Sequence, residues 1–236
     1  MVRNLLICTF IVAAVAGVTS CSPDSGGNEA NGNTAKTDSL CGTASDGKAK
    51  KALFTLAGTQ DLRSIDFGGV SEVASQLRET LDTPLEHKDT RPLSTCGIYP
   101  ARQDAEGITI EFSWEDRFAF SDSDDPDSDK VFYNLGESVG EVLSGKSSYI
   151  YTPCEIPGKY AKEADRRLIV AHAFNHMADG GPVTTNSQDD QLTVLNAVAR
   201  QLTRKLGCAN APLKNAPDLQ HYPTMSDAAD AAGTPS

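Results

Sequence analysis

Three short stretches of this chain hold residues whose types and spacing could do chemistry. Gly140 to Ser147, G-E-V-L-S-G-K-S, meets every required position of the phosphate-cradling pattern GxxxxGK[ST]. His172-Ala-Phe-Asn-His176 sets two imidazoles four residues apart, the spacing at which a helix would let them share a metal ion. Ser121 to Asp129, S-D-S-D-D-P-D-S-D, has the carboxylate density of a calcium loop.

Each is limited by the element that must carry it. A phosphate loop follows a strand and opens a helix, so that its amides and the helix N-terminus face the phosphates. Here Val131, Leu135, Val139, Val142 and Leu143 space as an amphipathic helix from Val131 to Leu143, and Ser148-Tyr-Ile-Tyr after them reads as a strand. The order is reversed, and Glu141 would repel the ligand. Gly145 is therefore expected to cap a helix C-terminus, with Lys146 near the negative end of the dipole, and no nucleotide is expected. R-L-I-V-A-H-A-F is rich in β-formers and lacks the glutamate of the HExxH zinc pattern, so His172 and His176 are expected on a strand. There they stand about 13 Å apart and are surface or half-buried residues rather than metal ligands. A pH-sensing role stays open, because histidine titrates near neutrality. The acidic run fails the EF-hand register: counting from Asp122 puts Pro126 at position 5, and from Asp125 puts Lys130 at 6 and Gly136 at 12. Asp122 to Asp129 is expected to be a solvated loop leading into the next helix. No G-x-S-x-G and no acid-base pair at a recognisable spacing singles out a catalytic residue, and no cofactor is implied.

The N-terminus speaks to location. Arg3 precedes an apolar run from Leu5 to Thr19, about fifteen residues where a spanning helix needs roughly twenty, which is the layout of an export signal. Val18-Thr19-Ser20-Cys21 resembles the lipobox of bacterial lipoproteins. That resemblance implies diacylglyceryl transfer to the Cys21 thiol, cleavage before it and acylation of the new N-terminus, hence a lipid anchor on the extracytoplasmic face of the cell membrane. Ser22 to Ser39 contains no apolar residue larger than alanine and is expected to be a flexible leash, residues 21–40 forming the linker.

Charge and cysteines agree with export. Lys and Arg number 21 and Asp and Glu 32; without Arg3 the balance is 20 to 32, near −12. A chain this acidic repels nucleic acid. Six cysteines become four once Cys8 leaves with the signal and Cys21 carries lipid. Four cysteines allow three pairings. Cys41 with Cys96 and Cys154 with Cys208 is the expected set, because each pair brackets one half of the folded region. No C-x-x-C occurs, which argues against zinc.

The positioning elements can be read between residues 41 and 208. Lys48 to Ala57 is a short helix closed by Gly58, and Gly69 to Leu81 a clearer one, with Val70, Val73, Ala74, Leu77 and Leu81 on one face. Ile108, Ile110, Phe112 and Trp114 alternate with polar residues as a half-buried strand, and T-C-G-I-Y before Glu106-Gly107 suggests its hairpin partner. Strands at Ser148 to Cys154 and Arg167 to Phe174 follow. The last helix carries Leu192, Leu195, Val198, Ala199, Leu202 and Leu206, with a capping-box start at Ser187-x-x-Asp190 and Gly207 at its end. Residues 209–236, rich in Ala, Pro, Asp and Gly, are expected to be disordered. The fold class is α+β, a single domain with a largely antiparallel sheet packed against helices and two disulfides.

The lipobox, the polar leash, C-G before a helix, a strand cysteine, T-P-C-E-I-P and A-V-A-R-Q-L-T-R-K-L-G-C together resemble the secreted lipoproteins of actinobacteria that lack an assigned function. The functional expectation is a membrane-anchored surface protein, a binding or accessory module for an envelope component, a small ligand or a protein. The alternative is an extracytoplasmic hydrolase, metal-assisted through His172, His176 and the Asp122 to Asp129 loop.

Overall fold

Alternation of apolar and polar residues builds the sheet of this protein, and helical periods build the elements packed on it. The computed structural model describes residues 39–41, 43–44, 47–82, 91–101, 106–117, 130–143, 145–178, 185–215, 217 and 219–232. The signal segment, Cys21, the expected linker up to residue 38 and the acidic run at 121–129 lie outside them, while Ser39 and Leu40, expected at the end of the linker, form a strand.

In chain order the elements begin with a minimal hairpin of β1 (Ser39–Leu40) and β2 (Thr43–Ala44). Helix α1 (Gly47–Ala57) then leads to strand β3 (Leu62–Asp66), and helix α2 (Gly69–Thr80) to β4 (Leu93–Pro100) and β5 (Ile108–Asp116). Strands β6 (Lys130–Asn134), β7 (Val139–Leu143) and β8 (Ser147–Pro153) follow. After them come the short helix α3 (Ala161–Asp165), strand β9 (Arg167–Asn175) and the long helix α4 (Thr185–Leu206). The chain closes with β10 (His221–Tyr222) and α5 (Met225–Ala232). Eight strands form one antiparallel sheet in the order β10-β6-β7-β8-β9-β5-β4-β3. The α+β class and the antiparallel sheet are as the sequence leads one to expect.

One face of this sheet meets the helices. Ile110, Phe112 and Trp114 of β5, Ile150 of β8 and Ile169, Ala171 and Ala173 of β9 pack with Leu77 of α2 and Leu192, Leu195, Val198 and Leu202 of α4 in one core. The Trp114 indole N–H donates to the Leu77 carbonyl at 2.9 Å, so the largest core side chain also satisfies a helix-end acceptor. Two arginines do the same elsewhere. Arg78 donates to the Lys205 and Leu206 carbonyls at the end of α4, and buried Arg167 donates to the Thr80 carbonyl at the end of α2. Helix α4 closes as expected, with Gly207 at φ 81° and the Cys208 N–H reaching back to the Thr203 carbonyl. It starts at Thr185, so Ser187 lies inside the helix and not at its N-cap.

Both disulfides have the expected pairing, Cys41 with Cys96 and Cys154 with Cys208, at Cα separations of 5.3 and 5.0 Å. The first ties the N-terminal hairpin to β4, and the second ties the end of α4 to the end of β8.

Two further expectations are overturned. The segment Val131 to Leu143 is no helix: it is β6, a turn and β7. Its apolar residues fit a helical period, but Val131 and Tyr133 on β6 and Val142 on β7 serve the same core from two strands. Asn134 and Gly136 decide it. The Asn134 side-chain oxygen accepts from the Gly136 N–H at 2.9 Å, and Gly136 takes φ 113°, a turn no helix accommodates. Gly145, at φ 70°, accordingly turns the β7–β8 hairpin and caps no helix. The stretch after Cys208 is likewise ordered where described. Its backbone finds partners: the Lys214 N–H donates to the Leu135 carbonyl, and the Asn196 amide to the Lys214 carbonyl. His221 pairs with Asp189 of α4 at 3.2 Å, and α5 places Ala228, Met225 and Ala229 against Phe132 and Val139. Composition alone misses this, because small residues can be buried by neighbours that are themselves large. Strand β3, not anticipated, lies at the far edge of the sheet.

Candidate functional site

The face of the sheet turned away from α1, α2 and α4 gathers the chemistry. Antiparallel registry places Phe132, Glu141, Tyr149, His172, Glu111 and Ser94 directly opposite one another in turn, one residue from each of β6, β7, β8, β9, β5 and β4. Helix α5 covers the Phe132 end of this row. Beyond it the rings line up along and across β8 and β9. Tyr151 lies 6.1 Å from Tyr149, Tyr149 stacks on His172 at 4.4 Å with an interplanar angle of 2°, and Phe174 stands 6.1 Å from His172 and 4.4 Å from His176. The strand period causes this, since Tyr149 and Tyr151, and His172 and Phe174, are alternate residues whose side chains leave the same face.

Carboxylates flank the rings. Glu141 is buried, accepts from the Tyr151 hydroxyl at 3.0 Å and pairs with Lys130 at 3.5 Å. Glu111 accepts from the Ser94 hydroxyl at 2.8 Å. Burial raises the Tyr151 hydroxyl well above the ordinary tyrosine range, and the Glu141 charge adds to it, so this group is a permanent donor. Burial likewise raises Tyr149 and Glu115. The His172 ring is pushed below its ordinary value by burial, with Glu111 opposing, and its Nε2 is buried without a hydrogen-bond partner among the described residues. It is a neutral imidazole with an acceptor or donor to spare.

What this arrangement can do is bind. Rings give contact area, and fixed donors and acceptors give orientation. Glu111 and Glu141 stand three strands apart, about 14 Å at the usual spacing, beyond the roughly 5 to 9.5 Å over which a carboxylate pair acts across a glycosidic bond.

His172 and His176 do lie on and just after a strand, as expected, with the Phe174 ring between them. Among the described residues no three His, Cys, Asp or Glu side chains gather where a metal could be held. The run Asp122 to Asp129 lies outside those residues. The GxxxxGK[ST] stretch is divided between β7, a hairpin turn and the start of β8, so its amides serve strand pairing. Tyr149, Tyr151, Glu111 and Glu141 were not anticipated. Their signal was the alternation in S-S-Y-I-Y and in I-T-I-E-F, but alternation names faces, and only strand order says which faces adjoin.

No helix among the described residues is long and apolar enough to cross a membrane. No family model, curated protein or solved structure matches the chain.

Proposed function

We propose that this is a membrane-anchored cell-surface lipoprotein whose folded domain is a binding module, acting through the ring-bearing face of its sheet. The reading rests on the row Glu141–Tyr149–His172–Glu111 with Phe174 and His176 beside it, aromatic area and oriented carboxylates on one surface. Tethering is supported by Val18-Thr19-Ser20-Cys21, the polar leash after it and two disulfides, which persist in an oxidising compartment. Two or three acyl chains on Cys21, at about 0.8 kcal/mol per buried methylene, would anchor it stably. It would then stand among the actinobacterial secreted lipoproteins of unassigned function that its layout resembles. Its partner would be an envelope component, a small ligand or a protein.

Anchoring and binding are tested separately. Cys21→Ala should move the full chain out of the membrane fraction or leave it unprocessed, and unchanged fractionation refutes the anchor. Crosslinking the wild type and Tyr149→Ala/His172→Ala in native membranes tests the face. The double variant, with folding checked by its thermal transition, should lose its crosslinked species by about tenfold or more. Equal capture by both proteins would remove this face from the proposal. A melting temperature raised by added zinc or calcium would favour the metal-assisted hydrolase instead.

A further inference from the structure

Among the described residues, the sheet ends at an uncovered edge. Strand β3 pairs only with β4, in the regular register Leu62↔Pro100 to Asp66↔Cys96. The Asp61 carbonyl accepts from Ala101 and the Phe67 N–H donates to Thr95, so Asp61, Arg63, Ile65 and Phe67 turn their backbone groups toward β4. In an antiparallel ladder the alternate residues Leu62, Ser64 and Asp66 must then turn theirs outward. No described strand meets those groups. Natural edges are usually blunted by proline, by charged side chains, lysine above all, or by a bulge. L-R-S-I-D has no proline or lysine, its two charges, Arg63 and Asp66, are of opposite sign, and the bulge of this region lies in β4, between Ser94 and Cys96. Ile65 and Phe67 are 36% and 49% exposed, two of the three exposed large hydrophobic residues among those described, and both belong to this edge.

We infer that β3 is a self-association surface: a second copy of this chain pairs with it, antiparallel about a two-fold axis, joining two sheets into one. The outward backbone groups admit only an extended strand, and β3 itself is complementary to them. With Ser64 opposite Asp66 of the other copy, both residues' outward N–H and C=O groups are satisfied. That register sets Ile65 against Ile65 and Arg63 against Phe67 on one face, so the two exposed apolar side chains are covered and the guanidinium lies over a ring. Arg63 already lies 5.7 Å from the Tyr99 ring on the same face. Asp66 falls opposite Ser64 and meets no like charge. The association does not depend on where in the cell the chain resides or on what the aromatic face binds.

The register makes the test specific. Ile65 and its counterpart form a non-hydrogen-bonded pair, with Cα atoms about 4.5 Å apart, within disulfide reach. Full-length Ile65→Cys should give a covalent dimer on non-reducing gels, whereas Arg63→Cys, about 14 Å from its own counterpart by the same geometry, should not. Wild-type full chain should sediment as a dimer, and Ile65→Lys, which opposes two like charges, should raise the dissociation constant by about tenfold or more without changing the melting temperature of the fold. A wild-type chain that sediments as a monomer at tens of micromolar, or equal crosslinking of the two cysteine variants, overturns the inference. Dimers that survive Ile65→Lys unchanged overturn it too, since the contact then lies elsewhere.

Discussion

At the scale of single residues, His172 shows how burial sets chemistry. Tyr149 covers one face of its ring, Phe174 meets it edge-on, and Glu111 stands opposite on β5. Desolvation lowers its pKa from the ordinary 6.5, more than the Glu111 charge raises it. The sign of the consequence follows. Above 6.5 the ring is neutral folded or unfolded; as pH falls, the unfolded chain takes up the proton before the folded one, so the contribution to stability is lost through the folded pKa. Wild-type protein should therefore lose stability between pH 7.5 and 5 relative to His172→Phe, which keeps a ring in the stack but cannot titrate. Urea denaturation of both at each pH measures the difference and removes the opposing slopes of Glu115 and Asp190, whose raised pKa values are common to both proteins. A constant difference between the two proteins across that range would contradict the assignment. The titratable residue was visible in the sequence. Its burial was not, because the covering ring comes from another strand.

At the scale of elements, Gly140 carries the clearest instruction. The first glycine of the phosphate-like pattern lies on β7, facing the core, where a Cβ would come within 2.8 Å of Leu192 and 3.1 Å of Leu135. Helix α4 approaches the sheet closely there because nothing projects from β7. Gly140→Ala should cost about 1 to 3 kcal/mol through overpacking, read as a lower denaturation midpoint with an unchanged slope. A midpoint unchanged would mean that α4 can shift. This element also shows the limit of periodicity. Val131, Val139 and Val142 satisfy a 3.6-residue repeat and also two short strands, and the turn at Asn134 to Gly136 is a local signal that outranks the repeat. Longer segments carry no such ambiguity. Ile108 to Trp114 alternates over seven residues and Leu192 to Leu206 repeats over four turns, and each forms the element its period names.

At the scale of the whole molecule, the disulfides hold together parts that are distant in sequence. Cys154 and Cys208, 54 residues apart, fix the end of α4 to the end of β8, and the C-terminal segment starts from that point. Replacing both by alanine should lower stability by about 2 to 4 kcal/mol, read by denaturant titration against the oxidised wild type. A loss below 1 kcal/mol would show that the α4 core and the Arg78 cap suffice. Fold class, the apolar faces of α2 and α4 and the hairpin of β4 and β5 were legible in the sequence, since propensity and period act locally; for the cysteines it left three pairings, and bracketing favoured the one the structure has. Tertiary structure decided the rest. Strand order brought Tyr149, His172, Glu111 and Glu141 into one row, placed α5 over the far end of it and left β3 at an edge. These are relations between segments separated by tens of residues. No local energy favours one neighbour over another until the core forms and fixes which strands adjoin.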